Sequence, residues 1–422
     1  MSKITDIKQA ELLLDRYVRH RPSDQPYDLL EMRRLMEFLD NPQDRLRVIH
    51  VAGTSGKTST AYYVAALLST ANYSTGLTIS PHIDKISERI QINLLPLGDT
   101  EICQLLEDFL DLVRISDTKP SYFELMIAFA FWIFDKKKVD YAVIEVGLGG
   151  LLDATNVINN PDKICVITDI GIDHVKLLGN TVKKIARQKA GIIQSNNPVF
   201  TYNQSQAITG EIQRQCQKAG ANLHIVSDCF GFDGNIILPS FKKRNLCLAA
   251  NIVNFILKKD NLTRLDYQQV NSAAHINIPA RMEEIRLGSK IVILDGSHNR
   301  QKTASLVDAV HQSYDNNIMV LFACGISEKR NLLHKMRLLH QISDTIILTS
   351  FEKGQDEVRT SINPETLSIY AKKARFRTII IERSPEKALE ILLNSDIKIG
   401  LITGSFYLAA RLRKKIQSAQ NS

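Results

Sequence analysis

The chain has 422 residues, 44% hydrophobic and 23% charged, with a formal net charge of +8 and a pI near 9.0. Such a length exceeds one comfortable core and predicts two or three domains, and the composition excludes disordered and fibrous classes. No apolar run approaches the ~20 residues that span a bilayer, and Met1–Asp6 lacks the apolar core of a signal peptide. A cytoplasmic protein with no membrane partner is expected. Cys103, Cys165, Cys216, Cys229, Cys247 and Cys324 are scattered without a C-x-x-C pair. They read as reduced core thiols. The basic clusters at 136–138, 242–244 and 411–415 are short and free of interleaved aromatics, which argues against nucleic acid. The last is expected to close a C-terminal helix, where cations suit the macrodipole.

In chain order, helical patterns over Asp6–Arg16 and Tyr27–Leu39 are broken by Arg21–Pro26. The β-branched run Val48–Val51 predicts a strand that passes through a glycine turn into a helix over Tyr62–Ser69. A short segment at Ser74–Ile79 precedes Glu88–Asn93, whose alternation reads as a strand or extended loop. Helices are predicted over Thr100–Arg114 and Tyr122–Lys136, then buried strands at Val139–Val146 and Ile164–Ile170. A helix at Thr181–Ile193 and a strand at Pro198–Tyr202 continue the alternation to about residue 250. The pattern lapses at 270–281 and restarts through Lys290–Leu294, Lys302–Ser313, Ile318–Cys324, Thr345–Thr349, Arg377–Ile381 and Ile397–Ile402. Alternating strands and helices predict a doubly wound, mostly parallel α/β sheet over 1–278 and a smaller Rossmann-like α/β domain over 279–422. Functional loops then belong beyond the carboxyl ends of the strands.

The turn Gly53-Thr54-Ser55-Gly56-Lys57-Thr58-Ser59 is a phosphate cradle of the P-loop type. Its glycines let backbone N–H groups face an anion, a helix N-terminus follows, and Lys57 reaches outward. Its spacing is compressed, because Val51 stands where G-x-x-x-x-G-K-[ST] has glycine, and this argues against a switch GTPase. Glu145 ends a buried strand just before Gly147–Gly150, a natural place for a Mg²⁺-binding or water-orienting carboxylate. Ser80 and His174 also follow strands and would complete a mixed donor set. Asp295-Gly296-Ser297-His298-Asn299 and Thr403-Gly404-Ser405-Phe406-Tyr407 close strands of the second domain, and Arg281 sits just past the boundary.

Taken together, the blocks H-V-A-G-T-S-G-K-T-S-T (50–60), T-G-L-T-I-S-P-H (75–82), E-R-I-Q-I-N (88–93), S-Y-F-E (121–124), V-I-E-V-G-L-G-G-L-L-D-A-T-N (143–156), T-D-I-G-I-D-H-V-K-L-L-G-N-T (168–181), A-R-Q-K-A-G-I-I (186–193), L-D-G-S-H-N (294–299) and T-G-S-F-Y-L (403–408) resemble the folylpolyglutamate synthase/dihydrofolate synthase family of the Mur ligase superfamily. The resemblance implies an ATP- and Mg²⁺-dependent ligase of folate biosynthesis and one-carbon metabolism. It would join L-glutamate to dihydropteroate or a folate through an acyl phosphate. It implies a catalytic set of Lys57, Glu145, His174, Lys189 and His298. Ser80, Glu145 and His174 would be Mg²⁺ ligands, with a second Mg²⁺ or a monovalent cation left open. Gly53–Ser59, Asn245, Arg281 and Asp295 would contact nucleotide. Phe123, Asp153, Ser405 and Tyr407 would line the substrate side, Ser405 with His298 toward glutamate. Lys189 matches a lysine that is carbamylated in the family. Leu151, the Phe241-Lys242 pair, Ala280 and Gln188 depart from the family pattern. A monomer whose two lobes share a cleft is expected. The alternatives are a Mur-type ligase acting on another carboxylate and a nucleotide-binding regulatory module.

Overall fold

The computed structural model describes residues 4–18, 28–227, 236–314, 317–352 and 360–420. The expected break at 21–26 and the start of the second helix at Tyr27 lie outside them. The Cα packing divides the chain into two units, Met1–Leu238 with Lys242–Ile276, and Pro239–Phe241 with Asn277–Ser422.

The first unit is built on β1 (Val48–Ala52), β2 (Thr75–Thr78), β3 (Ile90–Ile92), β4 (Leu95–Pro96), β5 (Tyr141–Glu145), β6 (Ile164–Ile167), β7 (Pro198–Tyr202) and β8 (Asn222–Val226). They form one sheet in the order β4-β3-β2-β5-β1-β6-β7-β8, antiparallel only at the β2–β3–β4 edge. β1 is central and fully buried, as a near-continuous apolar run in a parallel sheet should be. Its register with β5 and β6 aligns Val51 with Glu145 and Ala52 with Ile167, so the turns after all three strands open at one edge. Two buried helices flank this centre. Lys57–Thr70 buries every residue from Ser59 to Leu68. Tyr122–Lys136 starts from a capping box between Ser121 and Glu124, which satisfies donors at its first turn, and packs Phe129, Phe131 and Phe134 into the main core.

The second unit contains β9 (Glu283–Leu287), β10 (Lys290–Leu294), β11 (Ile318–Phe322), β12 (Thr345–Leu348), β13 (Thr378–Ile381) and β14 (Ile399–Thr403), ordered β13-β12-β11-β14-β10-β9. All are parallel except β9, which pairs with β10 as a hairpin. That hairpin was not expected: its first strand, E-E-I-R-L, alternates charge with apolar residues next to the lapse in pattern.

Two expectations are corrected. Arg411–Lys415 does not close the C-terminal helix, since Phe406–Gln420 runs past it with no basic residue in its last turn. Its charges go to ion pairs instead, Arg411 with Glu386 and Arg413 with the buried Glu283. Cys103, Cys165, Cys216 and Cys324 are buried free thiols, but Cys247 is disulfide-bonded. Spacing alone carries no distance between scattered cysteines, so that pairing was invisible. Cys229 lies outside the described residues. Among the described residues no helix is long and apolar enough to cross a membrane.

Candidate active site

β1 delivers the chain into Gly53–Gly56, and the helix Lys57–Thr70 leaves it. The turn is held from beneath by the segment after β6. The Thr54 and Ser55 N–H groups both donate to the Asp169 carbonyl, at 2.7 and 3.2 Å. The Thr168 hydroxyl donates to the Ser55 carbonyl at 2.7 Å. A Cβ on Gly53 would lie 1.8 Å from Thr168 Oγ1, so no side chain fits there while the loop is docked. Gly56 adopts φ +86° as the helix N-cap, in the left-handed region open to glycine. Because Asp169 takes the Thr54 and Ser55 amides, the anion-facing donors are those of the helix's first turn, where no side chain caps.

Three expected residues converge on this turn. Thr58 Oγ1 donates to Glu145 Oε1 at 2.9 Å, tying the cradle hydroxyl to the strand-end carboxylate. Lys189, 4% exposed on the helix Val182–Ala190, donates from Nζ to the Gly53 carbonyl at 2.8 Å. Asn245 is buried with Oδ1 accepting from Tyr202 Oη at 2.6 Å, and a Cβ on Gly56 would meet that Oδ1 at 2.8 Å. Beside it, Arg244 pairs with Asp169 and lies over the Tyr202 ring at 4.1 Å. Burial pushes the Asp169 carboxyl up and Arg244 pulls it back.

Ser80 follows β2, the strand beside β5, so it reaches the same edge as Glu145. His174 follows β6, is the N-cap of the short helix Val175–Leu178 at φ 46°, and has its ring near Asp173. A hydroxyl, a carboxylate and an imidazole are compatible with Mg²⁺, whose shell is completed by waters and phosphate oxygens. The Thr58–Glu145 bond puts the carboxylate at the cradle, where such an ion would be used. Among the described residues no group of three or more His, Cys, Asp or Glu side chains suits a metal, as expected of a set with only two such members.

At the turn after β5, Phe123 lies under Gly147, where a Cβ would sit 2.4 Å from its ring. Asp153 is buried and takes donors on both oxygens, Leu148 N at 2.7 Å and Thr155 Oγ1 at 2.6 Å. Leu151 and Leu152 are exposed.

In the second unit, Arg281, Asp295, His298, Ser405 and Tyr407 gather at the ends of β10 and β14. Asp295 accepts from Met282 N and Ser297 N, both at 2.9 Å, and from the Ser297 hydroxyl. Arg281 lies over Phe406 at 5.6 Å. Ser405 Oγ accepts from Tyr407 N at 3.2 Å at the start of the last helix. His298 Nδ1 faces the Gly296 carbonyl at 3.2 Å and its Nε2 faces Lys302 Nζ at 3.4 Å. Its own carbonyl accepts from the buried Lys335 at 2.8 Å.

Thr168, Asp169, Tyr202 and Arg244 were not singled out from sequence. Thr168 and Asp169 stand inside the quoted T-D-I-G-I-D-H block, so a signal existed. Tyr202 and Arg244 reach the cradle only through folding.

Residues 51–236 match the Mur ligase middle domain model. The chain is 31% identical to the folylpolyglutamate synthase of Lacticaseibacillus casei over 414 residues, covering 90% of this chain and 92% of that protein. It is 29% identical to the dihydrofolate synthase/folylpolyglutamate synthase of Bacillus subtilis (strain 168), covering 92% and 94%. The structure of the Mycobacterium tuberculosis folylpolyglutamate synthase complexed with ADP superposes with a TM-score of 0.84 at 26% identity, covering 97% of this chain and 98% of that one. A phosphate cradle on such a fold defines an ATP-dependent carboxylate–amine ligase of the Mur ligase superfamily. Within that class, the chain belongs to the folylpolyglutamate synthase/dihydrofolate synthase family.

Proposed function

We propose that this ligase joins the amine of L-glutamate to the carboxylate of dihydropteroate or of a folate, at the expense of ATP. A carboxylate is a poor acyl donor because its leaving group would be oxide. Attack by a carboxylate oxygen on the γ-phosphorus breaks the bond to the β–γ bridging oxygen, releases ADP and leaves an acyl phosphate. The amine then attacks the acyl carbon, the C–O bond to phosphate breaks, and one proton leaves the nitrogen. Charge accumulates on phosphate and acyl oxygens in both steps, so donors preset around the phosphates lower the barrier.

The observation that carries this reading is the Thr58–Glu145 bond at a cradle whose Gly53 carbonyl is held by a buried lysine. Lys57 and the first-turn amides would hold the outer phosphates. Ser80, Glu145 and His174 would hold Mg²⁺, which when bound supplies positive charge to the transferring phosphoryl group. Asn245, Arg281 and Asp295 would contact the nucleotide. His298 and Ser405 would serve the glutamate side. With Nδ1–H donated to Gly296, the Nε2 lone pair of His298 faces the Lys302 ammonium. Lys189 would act as its carbamate.

The test is ADP release by purified protein with Mg²⁺ and L-glutamate, offering dihydropteroate and tetrahydrofolate in turn. Release should require one of these acceptors. Lys57→Ala and Glu145→Ala should abolish turnover while leaving the fold intact. Equal ADP release without a folate-type acceptor would favour the regulatory nucleotide module and sink the ligase assignment.

A further inference from the structure

We propose that His50 is a positioning residue of this ligase: through Thr155 it fixes Asp153, and through Asp153 the Gly147–Gly150 loop that follows Glu145. His50 lies on β1, is fully buried, and its Nε2 is 2.8 Å from Thr155 Oγ1. Thr155 Oγ1 is in turn 2.6 Å from Asp153 Oδ1, and Leu148 N donates to Asp153 Oδ2 at 2.7 Å.

The direction of every bond in this chain follows from what each group can donate. Burial pushes the Asp153 carboxyl up, and the N–H groups that reach both its oxygens, Thr155 N at 3.1 Å on Oδ1 and Leu148 N on Oδ2, pull it back toward the carboxylate. A carboxylate only accepts, so the single hydroxyl proton of Thr155 goes to Asp153. The Thr155 oxygen must then accept from His50, which fixes the proton on Nε2. Nδ1 carries the lone pair and has no hydrogen-bond partner among the described residues. Burial, reinforced by Lys163, pushes the imidazole well below its ordinary value and keeps it neutral.

The loop held this way has no slack on its other sides. Gly147 stands on the Phe123 ring. A Cβ on Gly150 would meet the Gln188 and Lys189 carbonyls at 2.8 and 2.9 Å. The loop therefore lies between Glu145, bonded to the cradle hydroxyl, and the helix whose Lys189 grips Gly53. β1, which carries His50, ends in the cradle itself. One neutral imidazole thus ties the strand under the phosphates to the loop after the carboxylate. Asp153 spends one oxygen on Leu148 of that loop and the other on Thr155, which makes it a positioning residue as well.

The kinetic half of the test rests on the proposed ligation; the spectroscopic half does not. Selective ¹⁵N labelling of histidine, with His50→Gln to assign the signal, should show a protonated Nε2 and a bare Nδ1, unchanged from about pH 8 to about pH 6. In the ADP-release assay, His50→Phe should lower kcat about 10- to 100-fold, as loss of outer supports typically does, with the KM for ATP within about 2-fold. His50→Gln places an amide N–H near the Nε2 position and should keep kcat within about 3-fold. Should His50→Phe not fold, Thr155→Val breaks the same chain and should lower kcat alike. A proton found on Nδ1, or a Gln variant as slow as the Phe variant, or an undiminished kcat in folded His50→Phe, overturns the proposal. Absence of glutamate ligation in the wild-type protein would overturn the proposed function while leaving the tautomer result intact.

Discussion

Replacing Lys189 tests how the cradle is held. Lys189→Met keeps most of the side-chain volume and removes the donor that lies 2.8 Å from the Gly53 carbonyl. That carbonyl then stays buried without its partner, which costs about 1–3 kcal/mol. The loop would have to rebuild its docked form on binding, so the cost should appear in nucleotide affinity, as about 5- to 150-fold weaker ADP binding. Titration calorimetry with ADP measures this directly, with a thermal melt confirming the fold. The carbamate is compatible with the same bond, because a carbamylated nitrogen keeps one N–H to give to Gly53 and adds a carboxylate beyond it. Native intact mass should show an added CO2 on the wild-type protein that Lys189→Ala lacks, and small carboxylates should partly restore turnover to Lys189→Ala. Wild-type ADP affinity and turnover in Lys189→Met would refute the positioning argument. A Lys189→Ala variant deaf to carboxylates would refute the carbamate.

Two further predictions concern stability. His50 and His82 are buried, and burial pushes both well below 6.5, assisted at His50 by Lys163 and at His82 by Arg89, whose Nε donates to His82 Nδ1 at 2.8 Å. Both are neutral when folded but take up a proton when unfolded below 6.5, so stability falls as pH drops through that value. Between about pH 7.5 and about pH 5.5 each should cost about 1.4 kcal/mol. Urea melts of His50→Gln and of His82→Asn should each recover about that amount of the loss, and an unchanged pH slope would contradict the buried neutral state. In the second unit, Arg413 Nε lies 2.9 Å from both oxygens of Glu283, which is fully buried. Arg413→Met should destabilise that unit by about 3–5 kcal/mol by removing the opposite charge from a buried carboxylate that keeps donors from Asn277 and Ala280 N, with Arg413→Met/Glu283→Gln recovering part of it. A loss below about 1 kcal/mol in denaturant melts would show that the pair is not desolvated.

Local sequence determined the cradle, because glycine placement, a preceding apolar strand and a following helix are short-range features that leave few backbone solutions. The same holds for the buried helix Tyr122–Lys136 and the capping box that starts it, and for the strand ends that carry Ser80, Glu145 and Asp295. Tertiary structure decided what those residues touch. Thr58 and Glu145 are 87 residues apart and Lys189 and Gly53 are 136 apart, and they meet because β1 lies between β5 and β6. No local pattern encodes that neighbour relation. The His50–Thr155–Asp153 chain was hidden for the same reason, since each residue alone reads as an ordinary member of a strand or loop. The β9–β10 hairpin and the ion pairs of Arg411 and Arg413 escaped because a charged edge strand and a basic run look like solvated surface until a partner is opposite. Sequence fixes which groups are available at the end of each strand; strand order then sets which of them share a site.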